Sequence, residues 1–139
     1  MNVLIDTNIV LDILLKREPY YRDAARVSVL SEKGHIQSYI SASAVTDIFY
    51  IVRKEVLNSI IALNLIIDIL KTIHIASVTE DYIYEALDMR WNDFEDSVQY
   101  VVGKSISADF IITRNVADYA NGQIRAITPN EFISLITSH

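Results

Sequence analysis

Short apolar runs alternate along this chain with longer segments in which apolar residues recur at helical spacing. The short runs predict strands at 3–5, 36–40, 72–78, 109–113 and 125–127. The longer segments predict helices at 8–15, 20–31, from 41 or 43 to 54, 56–70, from 79 onward, 93–104, and from 128 onward. Regular alternation of this kind predicts a three-layer α/β/α sandwich around a mostly parallel sheet of four to five strands.

Two details support buried parallel strands and well-defined helix starts. The runs Val3-Leu4-Ile5 and Phe110-Ile111-Ile112 are apolar at every position, as expected for strands covered on both faces. The segment Thr128-Pro129-Asn130-Glu131 offers a cap, a proline at the first helical position and an acid at the third. No linker or internal repeat interrupts the pattern, so residues 1–139 are predicted to form a single domain.

The composition narrows the class of protein. The 139 residues include no cysteine, which excludes disulfide scaffolds, thiolate zinc sites and a cysteine nucleophile. The first residues carry no basic segment followed by a long apolar one, so a signal peptide is not expected. The most apolar stretch, 60–70, is too short to cross a bilayer and contains Asn64 and Asp68. We interpret it as a buried helix, and predict a cytoplasmic protein without membrane association.

The formal net charge of −6 bears on the partners. Nucleic-acid binding usually rests on a basic surface. Either the negative charge is concentrated in a site that holds cations, or nucleic acid is not the substrate. An acidic domain could also attract a basic protein.

Polar residues follow several of the predicted strands. Ligands of open parallel sheets bind beyond the carboxyl ends of the strands. The residues in such positions are Asp6-Thr7-Asn8, Asp47 one turn into a helix, Thr113-Arg114-Asn115 and Asp118, while Asp93 and Asp96 open the helix before the fourth strand. Oxygen ligands suit Mg²⁺ or Mn²⁺, and clustered carboxylates tolerate each other when a cation lies among them. One or two such ions can promote phosphodiester hydrolysis.

Each acid also has a purely structural interpretation. Asp6 and Asp93 are good N-caps, and Asp96 occupies the third position of a capping box. Asp47 lies off the apolar face of its helix and could be a solvated surface residue. Asp109 at a strand start is expected to be structural, and Asp118 could be a loop acid.

Other chemistries have little support in the sequence. Only three glycines occur, so no glycine-rich phosphate loop is present, and the motifs GxSxG and HExxH are absent. The histidines, His35, His74 and His139, are dispersed. The aromatic residues are interpreted mainly as packing residues.

Three segments together resemble a known family. They are MNVLIDTNIVLDIL, SASAVTDIFYIVRK and DFEDSVQYVVGKSISADFIITRNVADY, and they look like the successive blocks of a PIN domain, in order, from Met1 to about Phe132. The last block is the most specific and resembles PIN-family toxin components. The resemblance implies a metal-dependent ribonuclease fold with an acidic pocket, often dimeric, and in many relatives the RNA-cleaving toxin of a bacterial toxin–antitoxin pair.

The resemblance also implies roles for individual residues. Asp6 and Asp96 match two family acids, whereas Asp47 stands where Glu is usual and the neutral Asn115 where Asp is common, with Asp118 the nearest acid. Asp6, Asp96, Asp47 and Asn115 are thus the implied ligands of Mg²⁺ or Mn²⁺, with Asp6, Asp47, Asp96 and Asp118 as catalytic acids. The groups expected to orient these carboxylates are Thr7, Asn8 and Thr113, and the cations expected to guide RNA are Arg114 and Lys104.

Two rival functions stay open on the sequence. The shortened Asp47 and the neutral Asn115 would suit a catalytically silent PIN-like module that binds protein or RNA. A phosphoacceptor receiver domain also has clustered acids, but it needs an Asp after the third strand and a Lys after the fifth. Here Ser77-Val78-Thr79 and Thr128-Pro129 occupy those places, which disfavours a receiver.

Overall fold

All five predicted strands form in the computed structural model, which describes residues 1–138. The strands are β1 (Asn2–Ile5), β2 (Gln37–Ser41), β3 (His74–Ala76), β4 (Phe110–Ile112) and β5 (Arg125–Ile127). The helices are α1 (Thr7–Leu14), α2 (Tyr21–Glu32), α3 (Ala42–Val56), α4 (Ser59–Ile69), α5 (Glu80–Met89), α6 (Phe94–Ser105) and α7 (Pro129–Thr137), with a 3₁₀ helix at Val116–Tyr119. The predicted alternation of strands and helices is therefore confirmed.

The sheet is entirely parallel and has the order β3-β2-β1-β4-β5. The central strand β1 pairs with β2 on one side and with β4 on the other, and Val3 lies opposite both Ser38 and Phe110. The chain places β2 and then β3 on one side of β1, and afterwards β4 and β5 on its other side. The carboxyl ends of β1 and β4 thus meet at a point where the winding reverses, which is where such sheets bind ligands.

Helices cover both faces of the sheet, as the three-layer prediction requires. Alternate residues of β1 point to opposite faces. Val3 and Ile5 pack into a core with helices α1 to α4 and α7, whereas Leu4 packs into a second core with α5 and α6. Burial on both faces explains why β1 is apolar throughout.

Helix α4 is the main departure from the predicted burial. It was expected to be a buried helix, but its outer face exposes Ile60, Leu63 and Ile67 to solvent. Only Ala62 and Ile66 are buried, so the helix packs by one narrow stripe. None of the described helices is long and apolar enough to cross a membrane.

Element ends differ from the sequence prediction by a few residues. Helix α3 runs to Val56 and stops at Leu57, which takes a left-handed conformation with φ of 56°. Strand β3 is only three residues long, against the predicted 72–78. The 3₁₀ helix was not predicted, because its four residues are too few to show a periodic pattern.

Gly122 fixes the loop that follows the 3₁₀ helix. A Cβ at this position would lie 2.4 Å from the Tyr100 ring, and the Tyr100 hydroxyl accepts a hydrogen bond from Gln123 N at 2.9 Å. We expect Gly122→Ala to destabilise the fold by about 1–3 kcal/mol, as overpacking does. Urea unfolding measures this loss of stability. In a Tyr100→Leu background, where the ring is absent, Gly122→Ala should lower the stability only slightly. An equal cost in both backgrounds would contradict the predicted clash.

Candidate functional site

A cleft of about 470 Å³ opens at the carboxyl edge of the sheet, above the ends of β1 and β4. Six acids line it: Asp6, Asp47, Asp93, Glu95, Asp96 and Asp118. The neutral lining residues include Thr7, Asn8, Gln99 and Asn115. Among residues 1–138, no lysine or arginine lines it. The negative charge of the chain is therefore concentrated at this edge.

Asp6 is held firmly by the elements around it. It is the N-cap of α1, and its Oδ1 accepts a hydrogen bond from Thr7 N at 2.7 Å. Its Oδ2 accepts one from Thr113 Oγ1 at 2.7 Å. The side chain is 8% exposed, and burial raises the pKa of this carboxyl, although the hydrogen bonds from Thr113 and Thr7 oppose the shift. Asp6 therefore both caps α1 and lines the cleft.

Tyr119 joins two of the carboxylates. Its hydroxyl lies 3.4 Å from Asp6 Oδ2 and 3.5 Å from Asp96 Oδ1, within donating distance of both. The hydroxyl has a single proton, so it can serve only one acid at a time. Burial, together with Asp6 and Asp96, raises the pKa of Tyr119, which keeps it a neutral donor. The side chain belongs to the 3₁₀ helix, which explains how that short element contributes to the cleft.

Asp96 is the most strongly perturbed acid. Burial, followed by repulsion from Asp93, Asp118 and Asp6, raises its pKa to about 7. Asp93 caps α6 by accepting from Asp96 N at 3.0 Å, so the capping interpretation of Asp93 is confirmed. The Asp96 side chain instead turns toward Tyr119. Strong perturbation of an acid in a cleft is typical of functional sites.

Asp47, Asn115 and Asp118 also line the cleft, and all three side chains are exposed. The structure thus brings together the four predicted catalytic acids and the predicted ligand Asn115 around one cleft. Within residues 1–138, however, no three acids or histidines lie close enough to form a ready-made metal site. The roles of these residues as ligands stay predictions.

The residues predicted to orient the carboxylates behave differently from one another. Thr113 and Thr7 donate to Asp6 as described, and Thr113 Oγ1 also accepts from Asn115 N at 3.0 Å. Asn8 lines the cleft without a hydrogen bond to a carboxylate among the described residues. Thr113 therefore ties the end of β4 to both Asp6 and Asn115.

The two cations predicted to guide RNA lie outside the cleft. Arg114 Nε is 3.1 Å from Oδ2 of the buried Asp12, and its guanidinium stacks on Tyr20 at 4.1 Å from the ring centroid. Lys104 pairs with Glu85 at 3.4 Å, near the end of α6 remote from Asp96. Guidance of RNA by these residues stays a prediction, and it would require a path beyond the cleft.

Other sequence interpretations concern residues away from the cleft. Asp109 accepts from Asn2 N at 3.0 Å, which confirms the structural role expected at a strand start. His35 and His74 are exposed, and neither lines the cleft. His139 lies outside the described residues.

Three polar residues near the site were missed by sequence reasoning. Tyr119 was not considered, because a tyrosine in a loop carries no periodic signal. Asp12 is fully buried on α1, where an acid between Leu11 and Ile13 is a visible exception to an apolar run. Gln99 is 6% exposed and its Oε1 has no hydrogen-bond partner among the described residues. Its polarity on the buried face of α6 was the available signal.

A family model for the PIN domain matches residues 2–117, a range that includes β1 to β4, α1 to α6 and every cleft-lining residue except Asp118. The chain belongs to the PIN-domain family. The match confirms the resemblance carried by the three sequence blocks. No curated protein matches the chain by sequence.

Several solved structures have a similar fold, among them a toxin–antitoxin complex and a toxin. VapBC2 from Rickettsia felis, bound to a DNA fragment from their promoter, aligns with a TM-score of 0.72 at 14% identity, over 92% of this chain and 98% of that one. A toxin–antitoxin complex from Klebsiella pneumoniae aligns at 0.68 and 22% identity, over 91% and 97%. VapC20 from Mycobacterium tuberculosis, a sarcin–ricin loop cleaving toxin, aligns at 0.63 and 13%, over 78% and 86%. At these identities the likeness establishes the fold.

Proposed function

We propose that this PIN-domain protein is a metal-dependent ribonuclease that hydrolyses phosphodiester bonds of single-stranded RNA. One observation carries the proposal: two desolvated carboxylates, Asp6 and Asp96, contact the same Tyr119 hydroxyl in an acidic cleft at the switch point of the sheet. Such a cluster is costly for the fold unless protons or a cation compensate it. A fold that keeps it is expected to use it.

The donor set fits Mg²⁺ or Mn²⁺. All the acids offer oxygen ligands, and burial and other acids raise the pKa values of Asp6 and Asp96. In the part of the chain that the structure describes, no lysine or arginine lines the cleft to balance these acids. Asp6 and Asp96 would hold the ion, with Asp47 and either Asn115 or Asp118 completing the set. A divalent ion bound there supplies Lewis-acid polarisation of the phosphate and a more acidic water.

The chain's own residues contribute position and charge. Thr113 and the Thr7 amide hold the Asp6 carboxylate from two directions, so its free lone pairs have a fixed orientation. Tyr119 holds the carboxyl groups of Asp6 and Asp96 close to each other, because its hydroxyl can donate to either of them. The exposed acids Asp47 and Asp118 can accept a proton from water or return one to a leaving oxygen.

We further propose that the protein acts as the toxin of a toxin–antitoxin pair. Support comes from the family and from relatives solved as such complexes. It also comes from the outer face of α4, where Ile60, Leu63 and Ile67 form an apolar stripe suited to a protein partner. Light scattering of the chain and of Leu63→Glu tests what the stripe binds. A dimer that becomes monomeric assigns the stripe to self-association, whereas binding of an antitoxin that is lost in Leu63→Glu assigns it to the antitoxin.

A catalytically silent module is the second candidate. It is favoured by the exposed Asp47, the neutral Asn115 and the lack of three gathered acids among residues 1–138. The two candidates differ in one experiment, incubation of the purified chain with labelled single-stranded RNA in Mn²⁺, in Mg²⁺ and in EDTA. We expect cleavage with either metal and none in EDTA. RNA that stays intact in millimolar Mn²⁺, although it is bound, would establish the silent module.

A further inference from the structure

A second cavity of about 300 Å³ adjoins the acidic cleft. The two share Thr7, Asp47, Glu95 and Gln99 along their boundary, so a molecule in the cleft can extend into the side cavity without crossing solvent. Its volume is at the lower end of the range for small-ligand sites. Nothing in the proposed hydrolysis uses this space.

The walls of the side cavity suit a flat aromatic group. Phe94, the first residue of α6, is 44% exposed and lines it together with the apolar residues Ile83 and Val98. An exposed phenylalanine can stack on a base, and stacking is a principal means of recognising single-stranded RNA. On the polar side Ser43 contributes a hydroxyl near the start of α3.

The polar groups at the boundary are mainly acceptors. Asp47 and Glu95 carry negative charge, which repels a phosphate and favours a group with N–H donors. The same two acids also line the cleft, but the divalent ion proposed there would offset the negative charge and attract the backbone phosphate, which leaves the side cavity to a base.

Gln99 provides the independent observation. It is 6% exposed and lines both cavities, its Nε2 donates weakly to Thr7 Oγ1 at 3.5 Å, and its buried Oε1 has no partner among residues 1–138. A buried acceptor without a donor is unfavourable, and most such groups in proteins are paired. The terminal torsion of a glutamine is broad, so the amide can turn its oxygen to the cavity while giving up only a long hydrogen bond.

We infer that the side cavity is a nucleobase subsite, in which Phe94 stacks on the base beside the scissile phosphate and Gln99 Oε1 accepts from its exocyclic amino group. The inference rests on the proposed ribonuclease function. Adenine, cytosine and guanine carry an exocyclic amino group and uracil does not, so the subsite selects against uracil.

The test is the base preference of cleavage. A random-sequence single-stranded RNA pool is cut by the full chain in Mn²⁺, and the new ends are sequenced. We expect uracil to be depleted about fivefold to tenfold at one position next to the cut, the effect of one hydrogen bond. Gln99→Met should remove the depletion, and Phe94→Leu should raise KM with kcat little changed. Gln37→Leu, an exposed glutamine at the opposite edge of the sheet, should change neither.

A measurement without protein variants covers the case in which Gln99→Met fails to fold. In a defined oligonucleotide, adenosine at the selective position is replaced by purine riboside, which lacks the amino group. Slower cleavage by about fivefold to tenfold supports the subsite. Equal rates, or uracil tolerated as well as adenine, overturn the subsite but leave the ribonuclease standing. No cleavage of any RNA in Mn²⁺ overturns the ribonuclease and the subsite with it.

Discussion

Asp6→Asn is expected to lower metal-dependent RNA cleavage by at least about 100-fold, the upper end of what the loss of a supporting group around a metal costs. The change removes one charge from the pair that Tyr119 joins, and with it the anchor for a divalent ion. Asparagine is as good an N-cap as aspartate, so α1 should form normally. Cleavage rates in Mn²⁺ and calorimetric Mn²⁺ binding measure the effect.

Two further variants calibrate this result. Thr113→Val keeps the Asp6 charge but removes the donor at 2.7 Å, and we expect a loss of about 10-fold. Asp81→Asn, an exposed acid in the first turn of α5 outside the cleft, removes the same charge from the chain and should leave cleavage unchanged. If Asp6→Asn cleaves as well as Asp81→Asn does, Asp6 is only a helix cap.

The metal-free protein is expected to lose stability as the pH rises from about 4 to about 7. Asp96 titrates near 3.8 when unfolded, whereas burial and then Asp93, Asp118 and Asp6 raise its folded pKa to about 7. In that window the unfolded chain releases the proton first, so ionisation favours unfolding, and the loss is complete above the folded pKa. Solvent screening at this part-exposed carboxyl limits it to on the order of 1–2 kcal/mol.

Urea unfolding in EDTA at pH 5 and pH 8 measures this dependence. Asp96→Asn should remove much of it and unfold at higher urea than the unmodified chain at pH 8. Mn²⁺ at pH 8 should stabilise the unmodified chain and stabilise Asp96→Asn much less, because binding to the folded state shifts the equilibrium. A metal-free protein that is equally stable at both pH values would show that Asp96 ionises as an ordinary surface acid.

Much of the fold could be predicted because its signals are local. The continuous apolar runs of β1 and β4 and the capped start of α7 each identify an element without reference to the rest of the chain. Strand order could not be read from these signals, since it depends on which faces pack together. The exposure of α4 was missed for the same reason: its composition is apolar, yet only one stripe of it meets the core.

The site was predictable to the extent that its residues follow strands or start helices. Asp6, Asp47, Asp96 and Asp118 were all placed at the cleft by that rule and by the family resemblance. The ion pair of Arg114 could not be predicted, because its partner Asp12 lies 102 residues earlier and is buried. Tyr119 and Gln99 were missed because each is brought to the cleft by a contact with a distant segment of the chain, which the local sequence does not reveal.

The hydrogen bond from Tyr119 to Asp6 joins residues 113 positions apart. Asp6 leaves the ribosome well before its partners Thr113 and Tyr119, which emerge only after β4 has been made. A nascent chain therefore carries Asp6 and Asp47 long before it can form the cleft. For the ribonuclease proposed above, RNA cleavage is therefore expected to begin only once the residues up to Tyr119 have left the ribosome.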